Sequence, residues 1–548
     1  MLAAQMPGIR ASMLIDQLQA ELRGAGPLSA LSLAEKLPFA AEDQPLALAM
    51  LGEALQRFGR MDAAIACFRR RAMLVPLDVG AWVMLGDCLL TANRILAAEI
   101  AYNAALRLSP RGALALCGKA RLLVRYGDLN AAETAFRQAL NTEPGCKDAL
   151  LSLANMAVKA PDWAKARHWT NALERAGGGR EASWLRVRIE VGQGDFVAAE
   201  VRALAALAAP DLTPLQRAEI LLLRGEALDS LGRTKEAFKT AVDGKRLQHD
   251  VFAERAAGRE AEPAKLARLA AWFATCDPGP WRTTQTNSRA NEGAPKHVFL
   301  IGFPRSGTTL LEQALAGHPD VAALEEAPML AAAFAEFLSA PEGLERLSRI
   351  STDEAAFWRD RYWQDVKAFG GAVSKPVLID KNPAASCDLP LISKLFPDAK
   401  VLFARRDPRD VVLSCLRNNF QMNAMTYAFT TLEDAALCYD ACMRMTDAYL
   451  AALPVEPLCV QHEALIADFP TGLDEICRFI GIDLLPEMLD VAATTRRRVI
   501  RTPSASQLRE GVNLKGVDRW RHYAEELAPV LPLLDPWAHR FGYQQSPL

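Results

Sequence analysis

His297-Val-Phe-Leu-Ile-Gly-Phe-Pro-Arg-Ser-Gly-Thr-Thr-Leu-Leu311 is the stretch on which the fold turns. Val298 to Ile301 is an unbroken apolar run, as expected of a strand buried on both faces of a parallel sheet. Gly302 to Gly307, followed by Thr308 and Thr309, has the spacing of a phosphate-binding loop that opens a helix. Such a loop works because successive backbone N–H groups point into one concavity at a helix N-terminus, where the dipole favours an anion. Thr308 stands where a nucleoside triphosphatase carries lysine, so hydrolysis of a triphosphate is not expected. Arg305 supplies a cation from inside the loop instead. Strand, loop and helix together predict a P-loop-like α/β domain with a mostly parallel sheet.

Three further segments carry chemistry-bearing residues in the order such a sheet would need. Lys400 to Ala404 reads as a short strand leading into Arg405-Arg406-Asp407-Pro408-Arg409-Asp410, with Ser414 eight positions after Arg406. A guanidinium fork and a hydroxyl about two helical turns further on suit a phosphate, although such a cluster standing alone reads as a solvated ion-pair network. Pro376 to Pro383 is another strand, ending in Lys381-Asn382. Between them and the loop lie His318-Pro-Asp-Val321 and the pair Glu325-Glu326. Near the C-terminus come Thr502-Pro-Ser504, Gln507, Val512-Asn-Leu514 and Arg519-Trp520.

As a set, these segments resemble the protein-tyrosine sulfotransferases, over residues 297 to 520. The resemblance implies 3'-phosphoadenosine 5'-phosphosulfate (PAPS) as sulfuryl donor and no metal. It places Arg305, Ser306, Gly307, Thr308 and Thr309 around the 5' end of the donor and Arg406 and Ser414 at its 3'-phosphate. Ser504 and Arg519 are implied as further donor contacts. Glu326 takes the place of the catalytic base, with Lys381 and Arg305 on the transferred group. Two positions depart from the family. Asn382 stands where an acid is usual and receives no role, and His462, in Gln461-His462-Glu463, replaces a tyrosine and reads as a buried structural histidine. The implied acceptor is a tyrosine of a peptide or protein. A carbohydrate or a small phenol or alcohol is the alternative, because the same donor machinery serves all of them. A repeat scaffold with an inactive nucleotide-binding domain is a second alternative.

The N-terminal half has another origin. Small and aromatic residues recur every 34 positions: Gly52 and Gly86; Ala64, Ala98, Ala132 and Ala166; Phe68, Tyr102 and Phe136; Pro76, Pro110 and Pro144. That is the tetratricopeptide pattern of stacked helix pairs, which predicts a helical solenoid whose groove holds a peptide, a protein partner or a second copy of the chain. About six units are expected, with 79 to 112 the clearest and weaker ones near 184 to 199 and 223 to 237. The expected layout is a repeat domain over 1–245, a helical connector and linker over 246–295, and the transferase domain over 296–548.

With 548 residues there is room for two or more cores, and a net charge of -2 gives no reason to expect nucleic acid. No run of about twenty apolar residues predicts a membrane span, and the first ten residues lack the layout of a signal peptide. Eleven cysteines, scattered and without metal-ligand spacing, lead to the expectation of reduced thiols in a cytoplasm.

Overall fold

A computed structural model describes residues 44–57, 61–92, 94–209, 212–282, 295–369, 375–497 and 511–544. Its contacts divide the chain into two compact units: one holds the residues up to Ile189 with Phe252–Ala257, the other Glu190–Val251 with Gly258–Leu548.

The first unit is a series of helix pairs: Gln44–Arg57 with Met61–Leu74, Val79–Thr91 with Ile95–Leu108, Ala113–Tyr126 with Leu129–Thr142, and Lys147–Lys159 with Trp163–Arg175. The 34-residue columns are the contacts within and between pairs. Ala64, Ala98, Ala132 and Ala166 are fully buried, because a larger side chain there would hold the paired helices apart. Gly86 is required by Tyr102, whose ring would lie 2.5 Å from a Cβ at that position. Acids start the helices: Asp78, Asp128 and Asp162 each accept a hydrogen bond from a first-turn backbone N–H.

In the second unit the helices Phe196–Leu207, Pro214–Ser230 and all but the last turn of Thr234–Ala256 continue the pattern. Thr213 and Gln216 close a capping box ahead of Pro214. The rest of the unit is built on five parallel strands: β1 Lys296–Gly302, β2 Val321–Glu325, β3 Val377–Lys381, β4 Lys400–Arg405 and β5 Leu458–Gln461, in the order β2-β3-β1-β4-β5. Alternate residues of each strand feed two cores. Phe299, Ile301, Leu378, Val401 and Phe403 face one; Val298, Leu300, Ile379 and Leu402 face the other. The order reverses direction at β1, so the crevice for a ligand opens between the carboxyl ends of β1 and β4.

The stretch 246–295, expected as connector and linker, is partly core. The helix Glu262–Thr275 lies along Leu432–Ala452, and Leu266, Leu269, Phe273 and Trp281 are buried in the same apolar cluster as β1 and β4. Leu266, Leu269 and Phe273 keep helical spacing, but the Pro- and Gly-rich residues after Thr275 mask it in the sequence. Residues 283–294 lie outside the described residues. No described helix is long and apolar enough to cross a membrane.

A chain beginning at Lys296 is therefore expected to expose the buried face of Leu432–Ala452 and to lose near-UV circular dichroism, whereas one beginning at Glu190 keeps it. A well-dispersed native spectrum from the shorter chain would show that residues 190–282 are dispensable for the fold.

Candidate active site

The loop after β1 is shaped by close approach. A Cβ at Gly302 would lie 2.7 Å from the Ala404 carbonyl oxygen of β4, and one at Gly307 would lie 2.5 Å from Nδ1 of His462. Gly307 has φ +93° and caps the helix Thr308–Leu315, its carbonyl accepting from Leu310 N–H at 3.1 Å. Ser306, Thr308 and Thr309 are buried around this turn. Arg305 adopts φ +73°, a left-handed conformation that costs a non-glycine residue on the order of 1–3 kcal/mol. That turn lets it reach helix Pro408–Arg417, where its Nε donates to Ser414 Oγ at 2.9 Å. Arg406 Nη1 in turn donates to the Arg305 carbonyl at 3.1 Å, and Arg406 Nη2 to the Gly516 carbonyl. Arg406 Nε is buried and has no hydrogen-bond partner among the described residues. Burial first, then Arg406, lowers the Arg305 guanidinium to about 10, which leaves it cationic at neutral pH. His462 is pushed to about 3 by burial and by the two arginines, so the ring beside Gly307 is neutral.

The second cluster sits at the ends of β2 and β3. Strand alternation turns Lys381 away from Asp380 and toward helix Thr308–Leu315, where its Nζ lies 3.2 Å from Glu312 Oε2 and 2.9 Å from Glu326 Oε1. Lys381 and Glu312 are buried almost completely, while the Glu326 side chain is 44% exposed. Burial alone would lower the Lys381 pKa, but Glu312, Glu326 and Glu325 outweigh it and raise it above the ordinary lysine value. Glu326 has φ +49°, and its backbone N–H donates to the Lys381 carbonyl at 2.7 Å, so the turn after β2 is pinned to β3. Glu326 is also within electrostatic reach of Arg305, which joins the two clusters.

The structure thus brings together Arg305, Ser306, Gly307, Thr308, Thr309, Arg406, Ser414, Lys381 and Glu326. Arg519 sits differently from expectation: its guanidinium pairs with Asp229, which also accepts from Arg417 and from the Tyr523 hydroxyl. Ser504 lies outside the described residues. Asn382 caps a short 3-10 turn through Ala384 N at 3.1 Å, and His462 packs on the loop itself. Sequence reasoning missed Glu312 and Asp229. Glu312 could have been noticed as an acid inside the apolar run Leu310 to Leu315. Asp229 gives no such signal, since it falls in a repeat helix 290 residues from Arg519. Among the described residues no group of His, Cys, Asp and Glu could hold a metal.

Residues 295–487 match the sulfotransferase family profile, and 49–113 and 117–181 match tetratricopeptide repeats. The C-terminal part is a sulfotransferase-family domain. An uncharacterized protein of Aquifex aeolicus (strain VF5) is 27% identical over 262 residues, 43% of this chain and 32% of the relative. Protein-tyrosine sulfotransferase 1 of Homo sapiens is 33% identical over 127 residues, 22% of this chain and 33% of the relative. The chain therefore spans about a third of the length of these two relatives. The solved sulfotransferase domain from the Synechococcus PCC 7002 olefin synthase is 24% identical with a TM-score of 0.32, covering 48% of this chain and all of that one.

Replacing Lys381 with Met in this sulfotransferase-family domain would leave the Glu312 carboxylate buried without its cation, which is expected to cost about 3–5 kcal/mol. The double variant Lys381→Met/Glu312→Gln should recover most of that loss. Urea unfolding of the three proteins tests this, and a double variant no more stable than Lys381→Met would show that the pair is not coupled.

Proposed function

We propose that the protein is a sulfotransferase that moves the sulfuryl group of PAPS to a hydroxyl acceptor, with a tyrosine of a peptide or protein as the acceptor class. The observation that carries this reading is the convergence of Arg305, Arg406 and Ser414 beside a helix-opening loop, with Lys381 and Glu326 one strand away. The unpartnered Arg406 Nε is what a second phosphate would satisfy, and a donor with both a 5' and a 3' phosphate group supplies one where ATP does not.

PAPS, when bound, supplies the sulfuryl group and the 3',5'-bisphosphate leaving group. The chain's own residues do the rest. The loop amides and Arg305 would hold the 5' end, Arg406 and Ser414 the 3'-phosphate. Lys381 and Arg305 are placed to offset charge that develops on non-bridging oxygens in an in-line transfer. Glu326 Oε1 carries the Lys381 bond, so removal of the acceptor proton falls to Oε2. The neutral His462 ring supports the loop and adds no charge. Support for a tyrosine acceptor comes from the relatives' names and from the repeats, whose default role is to hold a peptide or protein. The eleven free cysteines support a cytoplasmic setting.

Thermal shifts are expected to be much larger with 3',5'-ADP than with 5'-AMP, since charged hydrogen bonds to a phosphate contribute about 1.5–3 kcal/mol each. Arg406→Ala should remove the difference. Equal shifts with both nucleotides in the wild type would refute the 3'-phosphate assignment.

Glu326→Gln should lower transfer to a tyrosine peptide by about 10²- to 10⁴-fold while 3',5'-ADP still binds. Near-normal turnover in this variant would take Glu326 out of the mechanism.

A further inference from the structure

Helix Thr234–Ala256 carries a lysine in an unusual place. Lys245 is 1% exposed, and its ammonium has no ion pair or hydrogen bond among the described residues; it lies 5.4 Å from the centre of the Phe420 ring. Three residues on, and so on the same helix face, Gln248 is also buried. Its Nε2 donates to Asn419 Oδ1 at 2.8 Å, while its Oε1 is buried without a partner. His249 completes the contact, with Nδ1 2.9 Å from Thr430 Oγ1 and its ring stacked on Tyr427. A buried ammonium without a counter-charge is expensive, and burial lowers its pKa to about 8. A lysine that served only to seat the helix would be better replaced by an apolar residue.

The location of Lys245 ties it to the loop. It is in electrostatic range of Cys415, whose Sγ lies 3.6 Å from the Pro304 carbonyl. Ser414, one residue earlier and about 100° round the helix, faces Arg305 instead. Cys415 is also within range of Arg305 and Arg406, so Lys245 lies close to the loop, on the Phe303-Pro304 side that the Cys415 thiol faces. A chain of ring contacts runs from Phe420, which is partly buried, through the core rings Phe429 and Phe303 to the loop, at 5.6 Å for each step.

We propose that Lys245, with Gln248, forms an anion-reading subsite on the acceptor side of the transferase, which selects a hydroxyl acceptor bearing a carboxylate on an aromatic frame. A residue of the repeat region would thus set acceptor specificity. The inference rests on the sulfotransferase reading above. Lys245 Nζ donates to the carboxylate, Gln248 Oε1 accepts from a neighbouring N–H or O–H group, and the Phe420 ring faces the aromatic part.

The test uses the full chain saturated with 3',5'-ADP and titrated calorimetrically with 4-hydroxyphenylacetate and with 4-methylphenol. The wild type should bind the carboxylate-bearing phenol about tenfold or more tightly than the neutral one. Lys245→Met should weaken only the former and erase the difference, and Lys245→Arg should keep part of it. Lys245→Met should melt at or above the wild-type temperature, because it removes an uncompensated buried charge at similar volume. Equal affinity for the two phenols in the wild type, no binding of either, or equal weakening of both in Lys245→Met overturns the proposal. So does loss of 3',5'-ADP affinity in Lys245→Met, which would move the lysine to the donor. A wild type that fails to bind 3',5'-ADP overturns the sulfotransferase reading itself, and is read separately in the same samples.

Discussion

A lysine ammonium with no exposed surface, held between Glu312 and Glu326, is the interaction on which the geometry of the candidate site depends. Lys381 is the last residue of β3, Glu326 follows the last residue of β2, and Glu312 lies on the first helix after the loop. One cation therefore ties together two strand ends and the helix that the loop opens. Burying a charge without a partner is costly, so each of these three elements is held in register by the other two. The left-handed backbone at Glu326 and Arg305 is tolerated for the same reason: the surrounding bonds, from Glu326 N to the Lys381 carbonyl and from Arg406 to the Arg305 carbonyl, leave no other arrangement.

The fold and most of the site were legible in the sequence because they depend on local pattern. The apolar run of β1, the glycine spacing and the Arg406 to Ser414 interval are each set by one strand, turn or helix. What could not be read depends on packing between distant segments. Glu312 becomes functional in geometry only once β3 lies beside β1 and its alternation aims Lys381 inward. Arg519, expected at the donor, meets Asp229 because helix Pro214–Ser230 packs where the sequence suggested a separate domain. The 34-residue columns of the repeats were legible for the opposite reason: a glycine opposite an aromatic ring, Gly52 with Phe68 and Gly86 with Tyr102, repeats its own evidence one unit later.

Asp229 shows how closely the repeat pattern enters the α/β unit. It accepts from Arg417, three residues after Ser414, and from Arg519 and Tyr523 of the closing segment. Together with the Gln248 to Asn419 and His249 to Thr430 bonds, it makes residues 190–251 part of the scaffold that orients helix Pro408–Arg417.

This seam has a consequence for how such a chain can be recombined. A module can be exchanged only where few contacts cross, and the change from repeat to strand near residue 296 is not such a place, because Leu266, Phe273, Trp281 and Asp229 all reach across it. The helices from Phe196 onward are bound to be inherited together with the α/β domain whose core and ion pairs they complete.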